Sequence, residues 1–109
     1  MNLLDKTCSP GAAALSHDAI AELLPQAAGW ALVDARLTRT FALRDYRDTI
    51  AFVNALAEMV HREDHHPELL VTYKECTVSF STHSANGVTE NDFICAAKAN
   101  AIYEQRARA

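Results

Sequence analysis

Four of the five histidines stand between positions 61 and 83: His61, His65, His66 and His83. Imidazole exchanges its proton near neutral pH, so a group of this kind can offer one substrate both a proton donor and a proton acceptor. Spacing separates the four. His61 and His65 are one turn apart on a helix, and His61 projects within about 20° of Ile50, at the edge of an apolar stripe. His66 precedes Pro67, which favours extended backbone and turns that ring elsewhere. His83 falls where a strand ends and a turn begins, a place where a scaffold presents side chains to a ligand.

Three readings compete at this point. Each histidine alone is well explained as a polar surface or half-buried residue. A metal site would use the i,i+4 pair His61 and His65, with His83 as a third ligand. Arg62 stands where an HExxH motif needs its glutamate, however, and no cysteine is near. The third reading is metal-free acid–base catalysis on a neutral or weakly anionic small molecule. The chain has no glycine-rich phosphate loop, no GxSxG elbow and no placed nucleophilic cysteine, so phosphoryl and acyl transfer lose support.

The elements that must hold these residues follow from periodicity. Residues 1–15 read as a weakly ordered lead-in with a turn signal at Ser9-Pro10-Gly11. Residues 16–109 read as one domain. Ser16 caps a short helix carrying Asp18, Ile20, Leu23 and Leu24, which Pro25 and Gly29 end. From Trp30 the period becomes two, with Leu32, Leu37, Phe41 and Leu43 in two strands joined near Asp34-Ala35-Arg36. Asp45 opens the longest helix, whose stripe is Tyr46, Ile50, Val53, Ala57 and Val60, widened by Phe52, Leu56 and Met59. It must finish by Pro67. Residues 69–73 and 77–81 form a hairpin around Lys74-Glu75. Thr89 and Asp92 then make a capping box, with Val88 and Phe93 as its staple, at the head of a last helix reaching about Arg106. The order α-β-β-α-β-β-α predicts an α+β domain with a four-stranded, mostly antiparallel sheet and helices on one face.

Composition sets the outer limits. The chain has 109 residues, half of them hydrophobic and 22% charged, which places it among globular domains rather than disordered segments. A net charge of −4 leaves no basic footprint for nucleic acid. Apolar runs are too short for a membrane span, and the first residues lack the pattern of a signal peptide. Cys8, Cys76 and Cys95 are an odd, widely spaced set, unlike a disulfide scaffold. The expectation is a soluble, cytoplasmic protein.

One constellation is specific. His65-His66-Pro67, five residues then Tyr73, nine then His83, and eight then Asp92 resembles the signature of the pterin-4a-carbinolamine dehydratases. Asn86 to Phe93 is similar to the segment after that family's third histidine, and the likeness runs from about residue 16 to 105, through Trp30 and Arg39-Thr40-Phe41. The resemblance implies dehydration of a 4a-hydroxytetrahydropterin to the quinonoid dihydropterin without metal or organic cofactor. It makes His65, His66 and His83 the catalytic set, with His65 and His83 the acid–base pair. Asp64, Ser81, Thr82 and Ser84 would add contacts to the pterin, and His61 and Asp92 would support. A helix cap explains Asp92 equally well, and Tyr73 reads as strand-end packing. The chain departs at His61, where many relatives carry an acid, and at Leu69, where a tryptophan is common. The likeness also implies a homodimer or homotetramer, an aromatic amino acid hydroxylase or another protein as partner, and, as the alternative function, a non-catalytic dimerisation or assembly cofactor. Apolar surplus on the last helix, at Phe93 and Ile94, is where self-association is expected.

Overall fold

The computed structural model describes residues 2–108. Its elements are α1 (His17–Leu23), β1 (Ala31–Val33), β2 (Arg36–Ala42), α2 (Tyr46–Glu63), β3 (Glu68–Val71), β4 (Glu75–Phe80) and α3 (Glu90–Arg108), with short 3-10 turns at Leu3–Asp5, Leu24–Gln26 and His83–Ala85. The four strands form one antiparallel sheet in the order β1-β2-β4-β3. This is the α+β arrangement that the alternating periods require, with the helices on one face.

Local chemistry explains the boundaries. Ser16 Oγ accepts the Ala19 N–H at 3.2 Å, and Asp45 Oδ1 accepts the Asp48 N–H at 2.8 Å, so both helices begin at side-chain caps. β1 and β2 are joined by two residues, Asp34 and Ala35, both at positive φ (50° and 63°). That is the tight turn whose twist matches a hairpin. Gly29 (φ 87°) has the Arg39 side chain so close that a Cβ would meet its guanidinium carbon at 2.9 Å. The approach lets Arg39 lie over the Phe41 ring, 4.3 Å from its centroid, and donate to Asn100 Oδ1 at 2.6 Å.

The core lies between the sheet and the pair α2 and α3. Phe41, Cys76, Val78 and Phe80 face it from the strands, Phe52, Leu56 and Met59 from α2, and Phe93, Ile94, Ala96 and Ala99 from α3. Two expectations change here. The buried face of α2 runs through Thr49, Phe52, Leu56 and Met59, while Tyr46 and Ala57 are exposed and Ile50 and Val53 half-buried. Of the expected stripe, Val60 and the widening residues Phe52, Leu56 and Met59 are buried, so the buried face is the widened side of that stripe, extended to Thr49. Phe93 and Ile94 are fully buried in the core, so they supply no surplus for self-association. Exposed apolar side chains lie instead at both sheet edges, Leu32 and Val33 on β1 and Leu69, Leu70, Val71 and Tyr73 on and beside β3, with Tyr73 stacked on Tyr46 at 6.2 Å.

Residues 2–15, whose sequence gave only a turn signal, run beside the start of α3. Leu3 is buried in the core, and Ser9 exchanges two hydrogen bonds with the Asn91 carboxamide (3.1 and 2.8 Å). Among the described residues, no helix is long and apolar enough to cross a membrane.

Candidate active site

Two helix ends build the site. α2 stops in a Schellman motif: the Asp64 N–H reaches back to the His61 carbonyl (3.3 Å) and the His65 N–H to the Val60 carbonyl (3.2 Å). Asp64 takes the left-handed conformation at φ 53°, a role that glycine usually fills and that aspartate tolerates better than most residues. The reversal throws His65 back toward the start of α3. There, Thr89 is the N-cap and Asp92 the third helical residue, and Asp92 Oδ2 accepts the Thr89 N–H at 2.8 Å. The capping box is one-sided. The Thr89 hydroxyl goes to Thr82 Oγ1 (2.8 Å), and the Thr82 hydroxyl donates to the same Asp92 oxygen at 2.9 Å.

Asp92 is completely buried, and its other oxygen, Oδ1, lies 2.5 Å from His65 Nε2. With the carboxylate ionised, the shared hydrogen is on Nε2, which leaves Nδ1 as the ring's free acceptor. The ring lies nearly parallel to Phe80, centroids 6.0 Å apart, and keeps only 12% of its side chain exposed. One imidazole is thus held in place by a buried carboxylate at Nε2 and an aromatic plane on its face.

His65 opens on a cleft of about 330 Å³ lined by Cys8 to Ala12, Glu63, Asp64, Thr82, Ser84 and Asn91. Its size falls at the small end of the range for small-molecule sites. Glu63 is held on this wall by the Cys8 N–H (2.8 Å) and Lys98 (3.0 Å). Burial pushes the Glu63 carboxyl up, but these two donors outweigh it and hold the group below its usual range.

His83 stands on the other side of Thr82. Residues 82 to 87 form a loop closed by the Thr82–Gly87 bridge, with Asn86 at φ 55°, and His83 is exposed at its tip. It lines a separate depression of about 140 Å³ with Arg36, Ser81, Thr82 and Gly87. The sequence-predicted residues therefore divide. His65, Asp64, Thr82, Ser84 and Asp92 come together around the His65 cleft, and His83 and Ser81 line its neighbour, with Thr82 common to both. His66 is exposed and lines neither hollow. His61 is exposed on the solvent side of α2. Among the described residues, no three histidine, cysteine or carboxylate side chains converge as metal ligands would. Sequence reasoning missed Glu63, Asn91 and the lead-in wall, whose only local signal is the Pro10-Gly11 turn.

Comparison with known proteins identifies the family. A family model described as pterin 4 alpha carbinolamine dehydratase matches residues 13–102. A protein of Xanthomonas oryzae pv. oryzae named pterin-4-alpha-carbinolamine dehydratase is 56% identical over 93 residues, covering 84% of this chain and 79% of that one. One of the same name from Stenotrophomonas maltophilia is also 56% identical, covering 84% and 80%. The crystal structure of a transcriptional coactivator/pterin dehydratase from Brucella melitensis superposes with a TM-score of 0.79 at 37% identity, over 83% of this chain and 98% of the other. The chain belongs to the pterin-4-alpha-carbinolamine dehydratase family, and so to the hydro-lyases.

Proposed function

We propose that the chain dehydrates a 4a-hydroxytetrahydropterin to the quinonoid dihydropterin, in the recycling of tetrahydropterin, with His65 and His83 as its acid–base pair. The single observation that carries this is the His65–Asp92 contact at the edge of the cleft. It supports a ring that donates to the carboxylate through Nε2 and accepts a proton through Nδ1. His65 then takes the proton from the ring nitrogen. His83, at the loop tip, delivers one to the C4a oxygen, and the C4a–O bond breaks to release water. For both to act on one substrate, the pterin must extend from the His65 cleft over Thr82 to the neighbouring depression. Ser81, Thr82, Ser84 and Asp64 would contact the ring on that path, and His66 would orient it from outside. No metal or organic cofactor enters this scheme. Each proton transfer is worth about 10²–10⁴ in rate.

We also place the protein in the cytoplasm, whose reducing background suits a chain with three free thiols and no standing disulfide among the described residues. A homodimer or homotetramer would cover Leu69, Leu70 and Val71 on edge strand β3. Light scattering that gives a monomer at micromolar concentration overturns that part. A second reading, a dimerisation or assembly cofactor for another protein, draws on the same exposed strip and on the coactivator in the name of the Brucella melitensis protein. The deciding experiment is stopped flow with chemically generated 4a-hydroxytetrahydropterin, scored as the excess over spontaneous dehydration. Wild type should show a large excess that collapses in His65→Ala and in His83→Ala and survives in His61→Ala. No excess in folded wild type would sink the enzyme mechanism and favour the binding role.

A further inference from the structure

Cys8 and Cys95 are far apart in sequence, yet their sulfur atoms lie 3.6 Å apart. Cys95 is fully buried on α3, whereas Cys8 is half-buried on the wall of the cleft. Two contacts hold Cys8 there: its N–H on Glu63 Oε1 at 2.8 Å and its Sγ on the Asn91 carbonyl at 3.6 Å. Between Lys6 and Ser16 the backbone has no helix or strand, only the turn at Pro10-Gly11. Cys8 can therefore move toward the fixed helix and close the gap to the ~2.05 Å of an S–S bond. The hydrogen bond to Cys8, burial and the nearby carboxylates of Glu63 and Asp92 hold the Cys95 thiol well above its ordinary range, so the more open Cys8 meets an oxidant first.

We propose that Cys8 and Cys95 are a redox-active dithiol that hydrogen peroxide converts to an intramolecular disulfide, clamping the lead-in onto α3 at the wall of the cleft. The Cys8 sulfur attacks one peroxide oxygen, the O–O bond breaks, the departing hydroxide takes the Cys8 thiol proton and leaves as water, and Cys8 becomes a sulfenic acid. The Cys95 sulfur then attacks Cys8 Sγ. The S–O bond breaks, the Cys95 proton departs with the hydroxyl as a second water, and the disulfide forms. Two thiols lose two electrons and two hydrogens, and one peroxide becomes two waters. The clamp fixes the segment from Cys8 to Ala12 that forms one side of the cleft, so oxidation alters access to His65. That last consequence rests on the dehydratase reading, but the disulfide does not.

The test treats wild type, Cys8→Ser and Cys95→Ala with hydrogen peroxide, alkylates with N-ethylmaleimide, and reads intact mass and peptide maps. Wild type should lose the mass of two hydrogens, join the peptides of Cys8 and Cys95, and leave only Cys76 open to alkylation on unfolding. Its Tm should rise by several degrees, since the cross-link closes a long loop of the unfolded chain, and dithiothreitol should reverse both changes. Cys8→Ser, a change in an irregular segment, should show no link. Cys95→Ala, if it folds, should stop at a sulfenic acid on Cys8 that dimedone captures. An unchanged mass, a disulfide between two chains, or Cys8 driven to the sulfinic acid with Cys95 still free each overturns the proposal. In a separate arm, oxidised wild type should dehydrate 4a-hydroxytetrahydropterin at an altered rate that dithiothreitol restores. If reduced protein shows no dehydration at all, the enzyme reading fails while the mass results still decide the disulfide.

Discussion

Asp92→Asn tests whether the buried carboxylate orients a base or only starts a helix. Asn keeps the shape, but one oxygen becomes an NH₂. The Thr89 N–H at 2.8 Å and the Thr82 hydroxyl at 2.9 Å both need an acceptor, so the amide oxygen stays on their side. The new NH₂ then takes the place of Oδ1 opposite His65 Nε2, and that nitrogen must become the acceptor. The ring proton moves to Nδ1, and the lone pair that served the cleft is gone. The dehydration excess should fall by about 10²–10⁴, the worth of a general base. Folding suffers much less. A carboxylate at a buried helix start contributes up to about 2 kcal/mol, and 1 kcal/mol is about 4–8 °C of Tm in a domain of this size. Thr89→Val is the matched control, because it removes the hydroxyl that donates to Thr82 while leaving Asp92 on His65. It should lower Tm by a similar amount and keep activity within about tenfold. Stopped flow measures the first effect, thermal melts the second, and the ¹⁵N shifts of the His65 ring report the tautomer directly. Asp92→Asn with a lowered Tm and an intact rate would refute the reasoning and leave Asp92 as a cap alone.

Three further outcomes are expected. Ala35 holds φ 63° in the β1–β2 turn, where a Cβ is strained, so Ala35→Gly should raise stability by about 0.5–1 kcal/mol; a lower urea midpoint would contradict this. Asn100 Oδ1 accepts from the Trp30 indole at 2.8 Å and from Arg39 at 2.6 Å, so Asn100→Ala should cost about 2 kcal/mol by leaving both donors short of a partner; a shift of less than a few tenths would count against that role. Burial pushes the Asp48 carboxyl up, but hydrogen bonds from the Arg44 side chain and backbone and from Arg106 outweigh it and hold the group well below the carboxylate range. Its contribution is therefore complete above the unfolded value near ~4 and is lost as pH falls through the lower folded value, because there the unfolded state binds more protons. Urea midpoints should drop between about pH 5 and pH 2, and less steeply in Asp48→Asn.

Local chemistry made much of this fold legible. Asp45, Ser16, Thr89 and Asp92 announce helix starts because a cap needs only the next three residues. The Asp34-Ala35 turn shows itself by a change of period on either side. The face of α2 was harder to read. Its sequence carries two overlapping apolar tracks, and only packing against the sheet and α3 selects Thr49, Phe52, Leu56 and Met59 over the track through Tyr46 and Ile50. The placement of His61 followed that choice. In the site, His65 and Asp92 were named from their motif, but the separation of His83 by Thr82 depends on a loop closed through a single bridge. The lead-in wall was invisible, since Ser9 and Cys8 are held by Asn91 and Glu63, partners far along the chain that no local pattern reveals.

The contact between His65 and Asp92 joins the last residues of one helix to the first turn of another, and helix ends are where native proteins open first. The contact therefore exists only while both ends are wound. Brief fraying of α2 beyond Val60, or of α3 before Asp92, dissolves the site without disturbing the aromatic core. A ligand lodged between the two ends binds only the closed form and so draws the population toward it. Amide exchange at His65 and Thr89 is thus a clock for the working state of the protein, and it should slow when the cleft is filled while exchange in β4 stays unchanged.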